Sequence, residues 1–351
     1  MRSAQLYCLF LLLLLILLPV NGADGSWLVL AEHGVGWDDN YLRLSDSDQK
    51  RFDRDADFQS DAASIGSWRH ESRIYLNHYR RFTKTWRIAL SGNYRFNQYP
   101  DNELNNYQAG MLSAEVRYGR QDRLKLEWNH LHDFYLRDFH HPFRAWDSPA
   151  RFNGNTLYLS WRTTRLPFVT LTPGVGIMFE QYAEPFTAYD LADNFVGLNL
   201  ASEYAGVTGQ LRYQLHLRDN VGFDQNSGGY QTSLDSEGGD ATSREHDWRI
   251  QFSHAPDRPW LKDITLYWRT RHRVYLTDSN GLQDPVHAGR IDRRQYLFCE
   301  LEFPLLAGFT LEAGWQREWR QTVADWPDLS DSKDYDNDRN WVNLKYRWYR
   351  K

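Results

Sequence analysis

The sequence predicts an all-β protein: a single antiparallel up-and-down transmembrane β-barrel of about 14 strands, following a cleaved signal peptide. Three observations carry this reading. Runs of about ten residues alternate apolar and polar side chains from near Trp27 to the C-terminus. The connections between those runs alternate between short and long. The composition, finally, joins a polar average (mean hydropathy −0.70) to 15% aromatic residues, with 15 Trp and 21 Tyr among 351 residues. That combination suits strands with one lipid-facing side, a wet interior and aromatic girdles.

The chain opens with Arg2, an aliphatic run from Leu9 to Leu18, and then Pro19, Val20, Asn21, Gly22 and Ala23. A positive start, an apolar stretch and small residues form the order of a secretory signal peptide. The apolar run is shorter than the roughly 20 residues that span a bilayer. The expected division is therefore signal peptide 1–22 and barrel 23–351, with cleavage after Gly22 or Ala23. Cleavage removes Cys8 and leaves Cys299 without an intramolecular partner. An internal disulfide and a structural zinc site of cysteines are both excluded.

Strands are expected near 27–37, 68–82, 85–98, 107–119, 122–137, 155–164, 168–180, 194–204, 207–218, 246–254, 263–276, 290–303, 308–321 and 340–349. In the clearest of them Trp86, Ile88, Leu90, Tyr94 and Phe96 oppose Arg87, Ser91, Asn93 and Arg95. Successive strand residues face opposite sides, so each set lines one face. Short links such as Phe82-Thr83-Lys84, Gly119-Arg120-Gln121 and Ala205-Gly206 alternate with long polar ones, such as Tyr99 to Asn106, Asp138 to Gly154 and Asp219 to Glu245. Short turns at one end and long loops at the other are the barrel pattern. Alternation of direction then requires an upward strand before 68–82, and Trp27 to Trp37 supplies it. A β-sandwich or propeller would instead bury its aromatic residues in a core.

At the C-terminus Val342, Leu344, Tyr346 and Trp348 alternate with Asn343, Lys345 and Arg347. This strand resembles the terminal strand of bacterial outer-membrane proteins of the porin-like superfamily, although Tyr349, Arg350 and Lys351 extend beyond the last aromatic of the alternation. The run Tyr335-Asp336-Asn337-Asp338-Arg339-Asn340 also looks like barrel porins associated with surface polysaccharide. The resemblance implies an outer-membrane location with periplasmic turns and extracellular loops. It also implies contact with membrane lipid and lipopolysaccharide, and recognition of the last strand by the barrel-assembly machinery.

With the polar faces turned inward, the expected pore-lining residues are Arg269, Arg271 and Arg273 on one strand, with Arg87, Arg95, Arg117, Arg212 and Arg218 elsewhere. Glu115, Glu127, Glu203 and Glu312 are the inward acids set against them. Guanidinium pairs well with carboxylate and phosphate, so the functional expectation is a channel for small polar or anionic solutes. A pore or accessory protein for export of acidic exopolysaccharide is the alternative within the same fold. Pairing of these arginines with neighbouring glutamates is the simpler expectation for any one of them, because an unpaired buried charge is costly. A rim hydrolase would use His130, His132, Asp133, His140 and His141, but alternation puts His132 and Asp133 on opposite faces. The acidic run Asp331 to Asp338 lacks the glycine and final glutamate of an EF-hand loop. No cofactor or metal site is expected, no phosphate-binding, H-E-x-x-H or G-x-S-x-G motif is present, and a net charge of −5 gives no footing for nucleic acid.

Overall fold

The computed structural model describes residues 25–55, 62–140, 147–183, 186–222, 241–277, 284, 286–306, 308–325, 329 and 333–350. The expected signal peptide, most of the loop before β10 and His141 lie outside these residues. The chain forms one closed antiparallel sheet of fourteen strands in sequence order, sealed by pairing of the first with the last. The strands are β1 (Gly25–Asp38), β2 (Ser67–Arg81), β3 (Trp86–Gln98), β4 (Tyr107–Tyr118), β5 (Asp122–His140), β6 (Asp147–Thr163) and β7 (Thr170–Tyr182). They continue with β8 (Leu191–Tyr204), β9 (Val207–Asn220), β10 (Ser243–His254), β11 (Asp263–Tyr275), β12 (Ile291–Pro304), β13 (Phe309–Val323) and β14 (Tyr335–Arg350). A short helix, α1 (Asp46–Phe52), sits between β1 and β2 and is capped by Ser45 Oγ, which accepts from the Asp48 N–H.

The strand inferred from direction alone is real. β1 pairs with β2 along its whole length and with β14 from Trp27–Arg350 to Asp38–Arg339. The two-residue turn between β8 and β9 places Ala205 at φ 51° and Gly206 at φ 76°. Positive φ at both central residues matches the twist of the flanking strands, and glycine adopts it without strain.

Burial is inverted relative to a water-soluble fold. Val175, Val196, Phe252, Leu266, Val342 and Leu344 are exposed on the outer wall, together with Trp86, Trp161, Trp248, Trp268 and Trp348. Phe252 is 53% exposed, whereas Glu245, inside, is 1% exposed. The buried set is led by polar side chains such as Asp193, Glu245, Glu312, Glu318 and Asn97. An apolar outer surface around a charged interior is the arrangement that lipid requires of a barrel.

Several strands run past their expected ends. β6 begins at Asp147, so the expected long link from Asp138 to Gly154 shrinks to 141–146 and β5 and β6 form one tall hairpin. Register shifts between Leu131 and Phe134 and between Tyr135 and Arg137 explain the miss. A bulge adds a residue and breaks the alternation from which a strand is read. β10 and β14 likewise begin at Ser243 and Tyr335, in polar sequence where neither face has apolar contrast.

Inside the barrel, the Trp341 ring of β14 lies flat over Gly314 of β13, where a Cβ would come within 2.1 Å of the indole. The indole Nε1 donates to Glu312 Oε1 at 3.3 Å. Gly314→Val is expected to displace this ring and destabilise the barrel by about 1–3 kcal/mol, the usual cost of overpacking. A lowered urea midpoint for the folded, heat-modifiable form would register it; an unchanged midpoint would contradict it.

Candidate functional site

The charged interior is organised in rows, because residues opposite one another on adjacent strands share a face. Near the short-turn end Arg81, Arg87, Arg117, Arg123 and Arg162 stand opposite one another across β2 to β6. At mid-height Arg212, Arg249 and Arg269 align across β9 to β11. Toward the long loops Arg271, Arg294 and Arg320 align across β11 to β13. Like charges in register repel, so each row needs counter-charge or solvent.

Several guanidiniums lie over tyrosine rings. Arg249 sits 4.1 Å from the Tyr267 centroid and Arg269 5.5 Å from Tyr296. Arg290 is 4.6 Å from Tyr275 and Arg117 5.7 Å from Tyr79. A ring against the flat face fixes the plane of the guanidinium and leaves its N–H edges for acceptors.

The uppermost row opens on a cavity of about 290 Å³. Its charged lining is Arg43, Arg271, Arg273, Arg290, Arg294 and Arg320 with Glu245 and Asp292, and Tyr41, Tyr99, Tyr107, Tyr135, Tyr275 and Tyr335 supply rings. Three carboxylates serve the six arginines. Glu245 accepts from Arg271 at 2.6 Å and Arg273 at 2.9 Å, with Arg218 at 3.9 Å. Asp292 accepts from Arg290 at 3.0 Å and Arg320 at 2.8 Å. Glu318 sits between Arg43 at 3.5 Å and Arg294 at 3.6 Å, and takes the Tyr335 hydroxyl at 2.6 Å. Each carboxylate is shared by at least two guanidiniums, so positive charge outnumbers negative along this wall.

The connection after β1 helps to close the cavity from above. Arg43 takes φ 54°, which aims it inward, and the Glu318 carboxylate holds its guanidinium above the ordinary arginine range. Asn40 locks this bend: its side-chain amide donates to the Leu44 and Asp336 carbonyls, and its Oδ1 accepts from the Leu44 N–H, all at 2.9 Å.

Side-chain alternation puts the twelve residues named from the sequence on the inner face of the sheet. Arg269 pairs with Asp247 at 2.5 Å, while Arg271 and Arg273 share Glu245. Arg218 pairs with Asp193 at 3.2 Å. Glu115 binds Arg117, and Glu127 binds Lys125 at 2.5 Å. Glu312 binds Lys345 and accepts from Asn343 at 2.7 Å. Arg212 donates to Gln214 at 2.6 Å, and Arg95 stacks over Tyr107. Arg87 and Glu203 make no ion pair among the described residues. Of these residues Arg271 and Arg273 line the cavity; Arg269, Arg87, Arg95, Arg117, Arg212, Arg218, Glu115, Glu127, Glu203 and Glu312 lie elsewhere.

Sequence reasoning missed the acids that matter most. Glu245 and Asp193 lay in expected loops, and Asp247 and Asp292 went unremarked among the inward positions. Reading β10 one residue further would have set Glu245 opposite Arg273, beside Asp247 opposite Arg271.

The histidine cluster does not assemble a His–Asp pair among the described residues. His130 and His132 face outward and bond to Asn155 and Asn153, each at 2.9 Å. Asp133 does not keep the regular alternation of its neighbours. It sits in the β5 bulge at φ 51°, its N–H donates to the same Asn153 Oδ1, and its carboxylate pairs with Arg151 at 2.8 Å. The side chain of His140 lies outside the described residues. In the acidic run before β14, Asp334 accepts from the Thr322 N–H, Asp336 pairs with Arg317, and Asp338 accepts from Trp315 Nε1, so these carboxylates have protein partners.

No family model matches the chain, and no curated protein matches it. Among solved structures it is similar to an anion-selective porin from Comamonas acidovorans, at 7% identity over 93% of this chain and 100% of that one, with a TM-score of 0.45. It is also similar to Pseudomonas aeruginosa OprD, at 11% identity over 93% and 95% and a TM-score of 0.40. A bacterial polysaccharide outer membrane secretin aligns at 12% identity over 91% and 98%, with a TM-score of 0.40.

Glu245→Gln removes the buried charge shared by Arg218, Arg271 and Arg273. The expected cost is about 3–5 kcal/mol, as for breaking other buried ion pairs, read as a lowered urea midpoint. Glu203→Gln, at an exposed lumen position without an ion pair, is expected to change it by less than about 0.5 kcal/mol. Equal effects of the two would refute this assignment.

Proposed function

We propose that the protein is an outer-membrane channel whose lumen favours small anionic solutes, with its short turns in the periplasm and its long loops outside. The carrying observation is the run of arginine rows from one mouth to the other, and above all the wall where three carboxylates serve six arginines. In a lumen of low effective dielectric, a surplus of oriented guanidiniums attracts anions and repels cations. The Arg43 bend narrows the path at the same height, so a solute entering from the loop side meets the arginines before the rest of the lumen.

An acidic saccharide is the second reading, favoured by Tyr99, Tyr107, Tyr135, Tyr275 and Tyr335, which line the same cavity as the arginines. Ring faces beside guanidinium edges suit a ligand with an apolar sugar face and a carboxylate. Pairing of the last strand with the barrel-assembly machinery belongs to the same outer-membrane reading.

Planar bilayers separating unequal KCl solutions test the first reading. The protein is expected to conduct with a reversal potential of the anion-selective sign, and Arg294→Gln with Arg320→Gln is expected to bring it toward zero. A silent or cation-selective barrel would sink the proposal. Oligomers of a uronic acid, added to the loop side, are expected to block the current at concentrations where neutral oligomers of equal length do not; equal block by both would remove the saccharide reading.

A further inference from the structure

The outer wall carries a basic cluster that the lumen does not use. His246 of β10 stands opposite His272 of β11, which stands opposite Arg293 of β12. Arg244 lies two residues from His246 on the same face, toward the long loop. These positions alternate with the lumen residues Glu245, Asp247, Arg271, Arg273, Asp292 and Arg294, so all four point away from the barrel. Following the strands toward the short turns, the outward residues become Trp248, Ile250 and Phe252 on β10 and Trp268 and Leu266 on β11, all exposed. The cluster therefore sits where the apolar band gives way to the loops, the height of lipid headgroups.

Among the described residues no ion pair engages Arg244 or Arg293. The intervening Asp247 and Asp292 face inward, where they hold Arg269 and Arg320. The outward acid nearest in register is Asp219, diagonal to Arg244 through Leu217, and among the described residues no ion pair joins them. Arg317 of β13, also outward near the loop end, is by contrast paired with Asp336 at 2.8 Å. Arg244 and Arg293 are exposed. His246 Nδ1 bonds to the Tyr213 hydroxyl at 2.9 Å, which orients the imidazole and leaves Nε2 outward. The cluster spans about 10 Å, two inter-strand spacings, and presents two guanidiniums and two imidazoles to the headgroup layer. Guanidinium is the side chain best matched to phosphate.

We propose that Arg244, His246, His272 and Arg293 form a binding site for the phosphate of a lipid headgroup in the leaflet on the long-loop side. The lipid's chains would then lie against Trp248, Trp268 and the aliphatic residues below. Charge complementarity favours an anionic headgroup, and the adjoining apolar wall favours one attached to acyl chains over a free anion.

The test uses the full-length folded barrel in nanodiscs, with diphosphoryl lipid A and its dephosphorylated form as probes and native mass spectrometry as readout. The wild type is expected to retain the diphosphoryl form preferentially. The R244Q/R293Q barrel is expected to hold it roughly thirtyfold more weakly, as the loss of two surface arginines implies. Inorganic phosphate at millimolar concentration is expected to leave the lipid in place. Equal retention by the variant, equal retention of the dephosphorylated lipid, or displacement by inorganic phosphate would each overturn the proposal. Heat-modifiability of the variant reports that it folds. Because the cluster faces away from the lumen, its conductance is expected to be unchanged, which separates this site from the channel reading.

Discussion

A strand in lipid has no water to satisfy its N–H and C=O groups, so a sheet that crosses a membrane cannot keep an edge. The pairing of β1 with β14 answers that constraint, and much else in the structure follows from it. Once the sheet is closed, every strand has an inside and an outside, and the two-residue side-chain period assigns each position to one of them. The apolar half of each strand goes to lipid and the polar half is confined in a narrow space. The long connections gather at one end because an up-and-down sheet returns each second turn to the same side.

Confinement turns the interior into a problem of charge. Arginines facing arginines across neighbouring strands would repel, and carboxylates are too few to neutralise them one for one. Sharing is the solution adopted here: Glu245, Asp292 and Glu318 each bridge two or more guanidiniums, while tyrosine rings brace several others. The result leaves an excess of positive charge along that wall of the lumen. Such an excess costs stability unless anions or water fill it, and the proposed preference for anionic solutes rests on that same property.

Much of this was legible in the chain. Period-two alternation located all fourteen strands, and the parity of short turns demanded the strand at Trp27 before any partner for it was known. It also placed Arg269, Arg271 and Arg273 on the lumen face, because facing follows from position in the strand alone. Alternation failed where the physics behind it lapses. The bulges at Leu131 and Tyr135 carried β5 and β6 beyond their expected ends and put Asp133 at a positive φ, outside the regular alternation. In the polar tips of β10 and β14 both faces meet water or headgroups, so neither has a reason to be apolar.

The sequence by itself determined the class of fold, a strand count of about fourteen and the face of side chains in the regular part of each strand, since these depend on local periodicity and on the need of a membrane sheet to close. Only the tertiary structure decided which charges meet. Glu245 and Arg273 are 28 residues apart, and Arg43 reaches Glu318 across most of the chain. Those pairs depend on register between strands and on the path of the connection after β1. Register is set by turn geometry and by the fit of side chains such as Trp341 over Gly314, which no single strand's pattern contains.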